Sequence, residues 1–169
     1  MNLVAVIATK SEINQNMANK DDAYYMGLAL KEARKAALND EVPVGAVIVL
    51  GDKVIAKAYN RRVEKEQTHA HAEMLAIQKA NKKVGSWRLE DCKLYVTLEP
   101  CPMCAGAIIQ SRIKTVYYGA KDPKGGVAGS LINLFDIKFN HQVEVFGGIL
   151  EEACSTELKQ FFKNLRQAK

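Results

Sequence analysis

Two short stretches constrain this chain more than anything else in it: His71-Ala72-Glu73, and Pro100-Cys101-Pro102-Met103-Cys104 about thirty positions later. One imidazole and two thiols match the donor count of a catalytic zinc site, which takes three protein ligands and leaves a fourth position for water. A fold that uses them must bring both stretches to one point. His71, Cys101 and Cys104 are therefore the expected ligands of one Zn²⁺ per chain. If His71 opens a helix, Glu73 lies beside the metal without binding it, where a proton carrier belongs.

The residue types fit a particular chemistry. Two thiolates and a neutral imidazole balance the charge of Zn²⁺, and the metal lowers the pKa of bound water from about 16 to about 7. The resulting nucleophile suits an amidine-type carbon, such as C4 of cytosine or C6 of adenine. Glu73 is the expected catalytic group, moving a proton from the water to the ring nitrogen and to the departing amine. Pro102 fits the first position of a helix, where its missing N–H costs nothing. Cys101 then sits at the helix mouth and Cys104 one turn inside, where the positive helix end favours thiolates. Two alternatives use the same residues: a closed Cys2His2 staple with His69 as fourth ligand, and a Cys101–Cys104 disulfide. The first leaves Glu73 without a task, and the second calls for an oxidising compartment that the scattered Cys92 and Cys154 do not suggest.

With 169 residues, 48% hydrophobic and 25% charged, the chain suits one globular domain. Residues 1–20 read as an N-terminal extension, either a frayed, disordered arm or a stretch ahead of a misassigned start, before a single domain of residues 21–169. Its apolar run Leu3 to Ala8 lacks the basic flank and cleavage site of a signal peptide, and no run approaches the length of a membrane span. A reducing cytoplasm is the expected location. Asp21 or Asp22 caps a helix to about Asn39, and Val44–Leu50 and Val54–Tyr59 form a hairpin over Gly51-Asp52. A helix over 71–81 follows, with Trp87 beyond it as a core anchor. Strand Leu94–Leu98 then delivers the chain to the Cys101 helix, which runs to about Gln110. A strand over 115–118, a flexible glycine-rich loop over 119–130 at the site mouth, a short helix over 131–135, a strand over 143–146 and a helix over 151–166 complete the chain. Leu158, Phe161, Phe162 and Leu165 face inward on that last helix. This order predicts an α/β fold, a three-layer α/β/α sandwich on a five-stranded mixed sheet. The long connection between strands four and five makes them parallel.

The segments Glu41-Val42-Pro43-Val44-Gly45-Ala46, Asn60-Arg61, His71-Ala72-Glu73-Met74, Thr97 to Ala107, Ser111-Arg112-Ile113 and Gly119-Ala120-Lys121-Asp122 resemble the bacterial tRNA-specific adenosine deaminases, within the zinc-dependent cytidine/deoxycytidylate deaminase superfamily. The resemblance runs from about Asp21 to the C-terminus, and Phe139-Asn140-His141 and the closing helix are similar to members from Gram-positive bacteria. It implies a cytidine deaminase-like fold and conversion of the wobble adenosine of a tRNA anticodon stem-loop to inosine. By the same resemblance Asn60 hydrogen-bonds the flipped nucleotide, Pro43 and Val44 form pocket wall, and Asp122 lies beside the target nucleotide. Pro123 departs from members that carry a small or charged residue there. His141 reads as a surface or interface histidine.

A net charge of +5 is a modest basic excess. Lys121 and Lys124 in the glycine-rich loop, with Lys159, Lys163 and Arg166 on the closing helix, are the candidate RNA surface. A homodimer is implied, with the Cys101 to Gln110 helix and its Met103, Ala105, Ala107 and Ile108 as a candidate contact. Two other functions share the zinc residues: a small-molecule base or nucleotide deaminase of guanine or cytidine type, and a non-catalytic zinc-stabilised RNA-binding protein, which has no need of Glu73.

Overall fold

The computed structural model describes the backbone of residues 10–169 and the side chains from Asp22 onward. Helix α1 (Lys10–Leu38) is followed by the hairpin β1 (Gly45–Leu50) and β2 (Lys53–Tyr59), a one-turn helix α2 (Arg62–Lys65) and helix α3 (Ala72–Val84). Strand β3 (Cys92–Leu98), helix α4 (Pro102–Gln110), strand β4 (Thr115–Ala120), a 3₁₀ turn (Leu134–Asp136), strand β5 (Glu144–Gly147) and helix α5 (Glu151–Gln167) complete it.

The five strands form one sheet in the order β2-β1-β3-β4-β5. β1 is antiparallel to both β2 and β3, whereas β3, β4 and β5 run parallel, as the long β4–β5 connection requires. That connection carries only the 3₁₀ turn rather than a full crossover helix. Successive strand side chains point to opposite faces, and two cores result. Ala46, Ile48, Leu94, Val96 and Val116 meet α3 and α4 on one face, while Val47, Val49 and Tyr95 meet α1 and α5 on the other. β1 is buried on both sides, as its unbroken apolar run implies.

Gly45 fixes how closely α1 lies on β1. A Cβ at Gly45 would overlap the carbonyl oxygen of Ala29, so only glycine lets helix and strand approach there. On the same face aromatic rings continue from α1 across the sheet. Tyr25 packs on Tyr95, Tyr95 stacks on its register partner Tyr117 at 4.7 Å, and Tyr117 stacks on Phe146 at 5.3 Å.

Several expectations change. Asp21 and Asp22 lie within α1 instead of capping it, because no Gly or Pro interrupts the chain between Lys10 and Gly27. The Asp22 carboxylate instead accepts the Tyr95 hydroxyl at 2.7 Å. Residues 10–20 of the expected extension are thus helical in backbone, and the apolar run Leu3 to Ala8 lies outside the described residues. Trp87 is no core anchor: it is 55% exposed, with the guanidinium groups of Arg88 and Arg112 over its ring. On α4, Ala105 and Ile108 are wholly buried in the core, which leaves Met103 and Ala107 as the partly exposed part of the expected contact face. His141 is half-buried and its Nε2 donates to the Ile113 carbonyl at 2.7 Å. Among the described residues no helix is long and apolar enough to cross a membrane.

Candidate active site

Two helix N-termini meet at the carboxyl end of β3. His71 occupies the N-cap position of α3 and Cys101 that of α4, both with extended backbone, and Pro102 holds the first position of α4. Extended caps turn their side chains out of the helix axis and towards each other. Ala105 N–H closes the first turn of α4 onto Cys101 O at 2.8 Å, and this carries Cys104 underneath.

The resulting donor geometry fits a tetrahedral zinc ion. Bonds of about 2.3 Å to sulfur and about 2.0 Å to nitrogen, opened to the tetrahedral angle, separate sulfur from nitrogen by about 3.5 Å and sulfur from sulfur by about 3.8 Å. His71 Nδ1 lies 3.5 Å from Cys104 Sγ and 3.7 Å from Cys101 Sγ, and all three donor atoms fall within 4.8 Å of one another. His69 is exposed and is not part of this group among the described residues, so a closed Cys2His2 staple is not what the fold builds. All four cysteines are free, which removes the Cys101–Cys104 disulfide.

The charge distribution also calls for a cation. The hydrogen bond from Cys104 pushes the Cys101 thiol down to about 4, and giving that bond, together with burial, pushes Cys104 up. His71 is raised first by its hydrogen bond to Cys101. Cys101 is thus the sulfur that favours the thiolate form, and a divalent cation held by the three donors would stabilise both thiolates.

Glu73 lies in the first turn of α3 and is only 4% exposed. Burial pushes its carboxyl up to about 7, although its own backbone N–H and the neighbouring His71 favour the charged form. A carboxyl held near neutrality can take and return a proton at neutral pH.

A cleft of about 450 Å³ opens over these groups, with His71, Glu73 and Cys101 at its floor. Val44, Asn60 and Asp122 line it as expected, whereas Pro43 is buried and its neighbour Val42 faces the cleft instead. Asn60 is 9% exposed, and its Oδ1 accepts the Ala72 N–H at 2.8 Å. It thereby satisfies a first-turn donor of α3 that the His71 side chain leaves open. The fixed oxygen turns the amide so that its NH₂ is the group left for a ligand. Asp122 commits Oδ1 to the backbone N–H groups of Lys124 and Gly125, both at 3.1 Å.

Three parts of the wall were not among the expected site residues. Phe161, Phe162 and Leu165, expected in the core, line the cleft from the C-terminal half of α5, while Leu158 packs inward. Glu41, buried, accepts the Glu64 N–H at 2.7 Å and holds α2, which brings Arg62 and Val63 to the rim. Glu99, buried, holds the loop of residues 121–130. Its carboxylate accepts the N–H groups of Asp122 at 2.9 Å, Ala128 at 2.9 Å and Ser130 at 3.0 Å, and the Ser130 hydroxyl. Burial opposes charge on Glu99, but these bonds win and hold its carboxyl below the usual range. The loop expected to be flexible is thus tied down. A long Gly- and Ser-containing loop with no regular structure beside a lone Glu was the available signal, since its amides need an acceptor.

A second groove, of about 730 Å³, adjoins the cleft and shares Val42, Leu98, Asp122 and Phe162 with it. Lys121, Lys124, Lys159 and Arg166 line this groove, so four of the five expected RNA-surface cations converge, and Lys163 stays outside it.

Comparison with known proteins agrees with this geometry. Residues 19–166 match the family model of the MafB19-like deaminases. The tRNA-specific adenosine deaminase of Bacillus subtilis is 54% identical over 88% of this chain and 92% of its own length. A solved structure from a study of A-to-I editing by tRNA:A34 deaminases at the wobble position superimposes with a TM-score of 0.78 at 46% identity, covering 80% of this chain and 99% of that one. The guanine deaminase of Nitrosomonas europaea shares the fold, with a TM-score of 0.74 at 24% identity over 95% of this chain and 97% of its own. By family model, identity and fold together, this chain belongs to the bacterial tRNA-specific adenosine deaminases.

Proposed function

We propose that this protein deaminates adenosine to inosine at the wobble position of a tRNA anticodon loop, by zinc-dependent hydrolysis. The observation that carries the chemistry is the tetrahedral spacing of His71, Cys101 and Cys104 with buried Glu73 beside them. When bound, zinc supplies the Lewis acidity that makes water nucleophilic at neutral pH. Glu73 takes a proton from the attacking water and gives it to the ring nitrogen, then takes the remaining proton of the added hydroxyl and passes it to the leaving amine. Oxygen replaces the exocyclic nitrogen at C6, and ammonia departs. Asn60 offers its NH₂ to the nucleotide in the cleft, and Val42, Val44 and the α5 phenylalanines exclude water from the flanks of the base.

The RNA assignment rests on the relatives' activity, supported by the cationic groove beside the cleft. Anticodon-loop bases can be splayed out, so the enzyme need not open a long duplex. We further propose a cytoplasmic homodimer, with the outer face of α4 around Met103 and Ala107 as one contact.

Inosine formation on an anticodon stem-loop, compared with release of ammonia from free adenosine, cytidine and guanine, tests the reading. The stem-loop is expected to react far faster. Rapid deamination of a free base or nucleoside with none on the stem-loop overturns the tRNA assignment and leaves the zinc chemistry standing.

A further inference from the structure

We propose that Glu99 is a positioning residue that sets substrate binding by shaping the loop of residues 121–130 into a rigid wall between the cleft and the cationic groove. The carboxylate is 2% exposed and gathers four donors from three residues of that loop. The close approach is made possible by Gly126, where a Cβ would overlap the Glu99 carboxyl. Two backbone bonds run alongside, from Glu99 N–H to Ala120 O at 2.8 Å and from Val127 N–H to Pro100 O at 3.0 Å. The loop is thereby fastened to the strand end that leads directly into Cys101.

The consequence is a division of labour on one short segment. Cys101 serves the metal, and Glu99, two residues before it, places the groups that face a substrate. Asp122 lines both cavities, and Lys121 and Lys124 line the groove. A loop of this composition without an anchor would sample many conformations, and ordering it would weaken binding. A fixed loop presents its two cations at set positions. The functional half of this inference rests on the proposed RNA substrate, whereas the anchoring half does not.

The test uses zinc-loaded Glu99→Gln and, as a milder second variant that leaves the carboxylate in place, Ser130→Ala. Hydrogen exchange is read at the amides of Asp122, Ala128 and Ser130, zinc content is measured, and stem-loop kinetics are recorded over a salt series. In Glu99→Gln the three amides are expected to exchange roughly tenfold faster or more, the factor that the loss of one charge-assisted bond corresponds to. Zinc content stays at the wild-type level, and KM for the stem-loop rises more than kcat falls. The slope of log affinity against log salt becomes shallower by about 0.7 for each phosphate that the loop no longer holds. Ser130→Ala should move the same readouts in the same direction by less.

Unchanged exchange at the three amides in Glu99→Gln overturns the anchoring. Faster exchange with an unchanged salt slope, or with zinc lost and kcat and KM changed in parallel, overturns the positioning role and makes Glu99 a structural support for Cys101. If the wild-type protein fails to act on the stem-loop, the RNA substrate is wrong, and the exchange measurement still decides the anchoring.

Discussion

Replacing Glu73 by glutamine separates proton transfer from every other property of the site. The amide keeps the carboxylate's size, and its oxygen can still accept the residue's own backbone N–H. The three metal donors are untouched. Removing a general acid–base group commonly costs about two to four powers of ten. One carboxyl serving successive transfers places the expected loss near a thousandfold or more, about 4 kcal/mol of barrier. Zinc content and KM should stay close to wild type. Stability should move the opposite way. Glu73 is 4% exposed, and burial lifts its carboxyl from 4.5 to about 7. An acid raised in this way binds its proton more tightly in the folded chain, so metal-free protein loses stability as pH rises from about 4.5 to 7, by roughly 3 kcal/mol in total. Glutamine has no charge to bury. Metal-free Glu73→Gln is therefore expected to be more stable than metal-free wild type at about pH 7.5, by up to that amount, with the gap closing near pH 4. Single-turnover inosine formation, elemental analysis and denaturant melts across pH read the three quantities. A variant that keeps more than a tenth of the wild-type rate removes Glu73 from the mechanism. One that is less stable than wild type at neutral pH refutes the desolvation argument.

Cys101→Ser, Cys104→Ser and His71→Ala should each lose most of the zinc, about one ion per chain in wild type, and melt several degrees lower because the ion joins two helices. Full zinc in all three would put the metal elsewhere. Gly45→Ala should destabilise the fold by about 3 kcal/mol or more, since the new Cβ overlaps the Ala29 carbonyl oxygen. A denaturant midpoint within error of wild type would mean that α1 does not seat on β1 as described. In metal-free protein, Cys101, pushed down to about 4, should alkylate readily at about pH 7, while Cys154, 1% exposed and pushed up to about 12 by burial, should not. Peptide mass spectrometry distinguishes them, and prompt labelling of Cys154 would contradict its burial.

What could be read from the sequence was what the chemistry encodes locally. His71, Glu73, Cys101 and Cys104 stand in two contiguous stretches, and Pro102 and the helical periodicities around them fix how each side chain leaves the backbone. Strand periodicity and the long β4–β5 connection pointed to the sheet and to its parallel β4–β5 pair, whereas the parallel pairing of β3 with β4 was not read. Trp87 misled because an aromatic in a mixed sequence signals burial only on average; here two arginines cover its ring at the surface. The phenylalanines of α5 misled differently. Their helical spacing matched a core face, but it is Cys154 and Leu158 that pack into the core, and the next turns hang over the cleft.

What holds the walls of the cleft in place escaped the sequence, because each hold is a side chain reaching a backbone N–H far along the chain. Glu41 holds Glu64 of α2, Asn60 holds Ala72, and Glu99 holds Asp122, Ala128 and Ser130. Such pairings have no period, and a lone acidic residue or asparagine gives no sign of which amide it will meet. They share a cause nonetheless. Each bond takes up a backbone N–H that no helix or strand ladder satisfies, at a helix first turn or in an irregular loop, and a buried acceptor fixes such a segment in place. Every one of these acceptors lies outside the three metal donors. The walls can therefore be reshaped by exchanging an anchor and its loop while His71, Cys101, Cys104 and Glu73 stay in register, so that substrate choice and metal chemistry vary independently on one sheet.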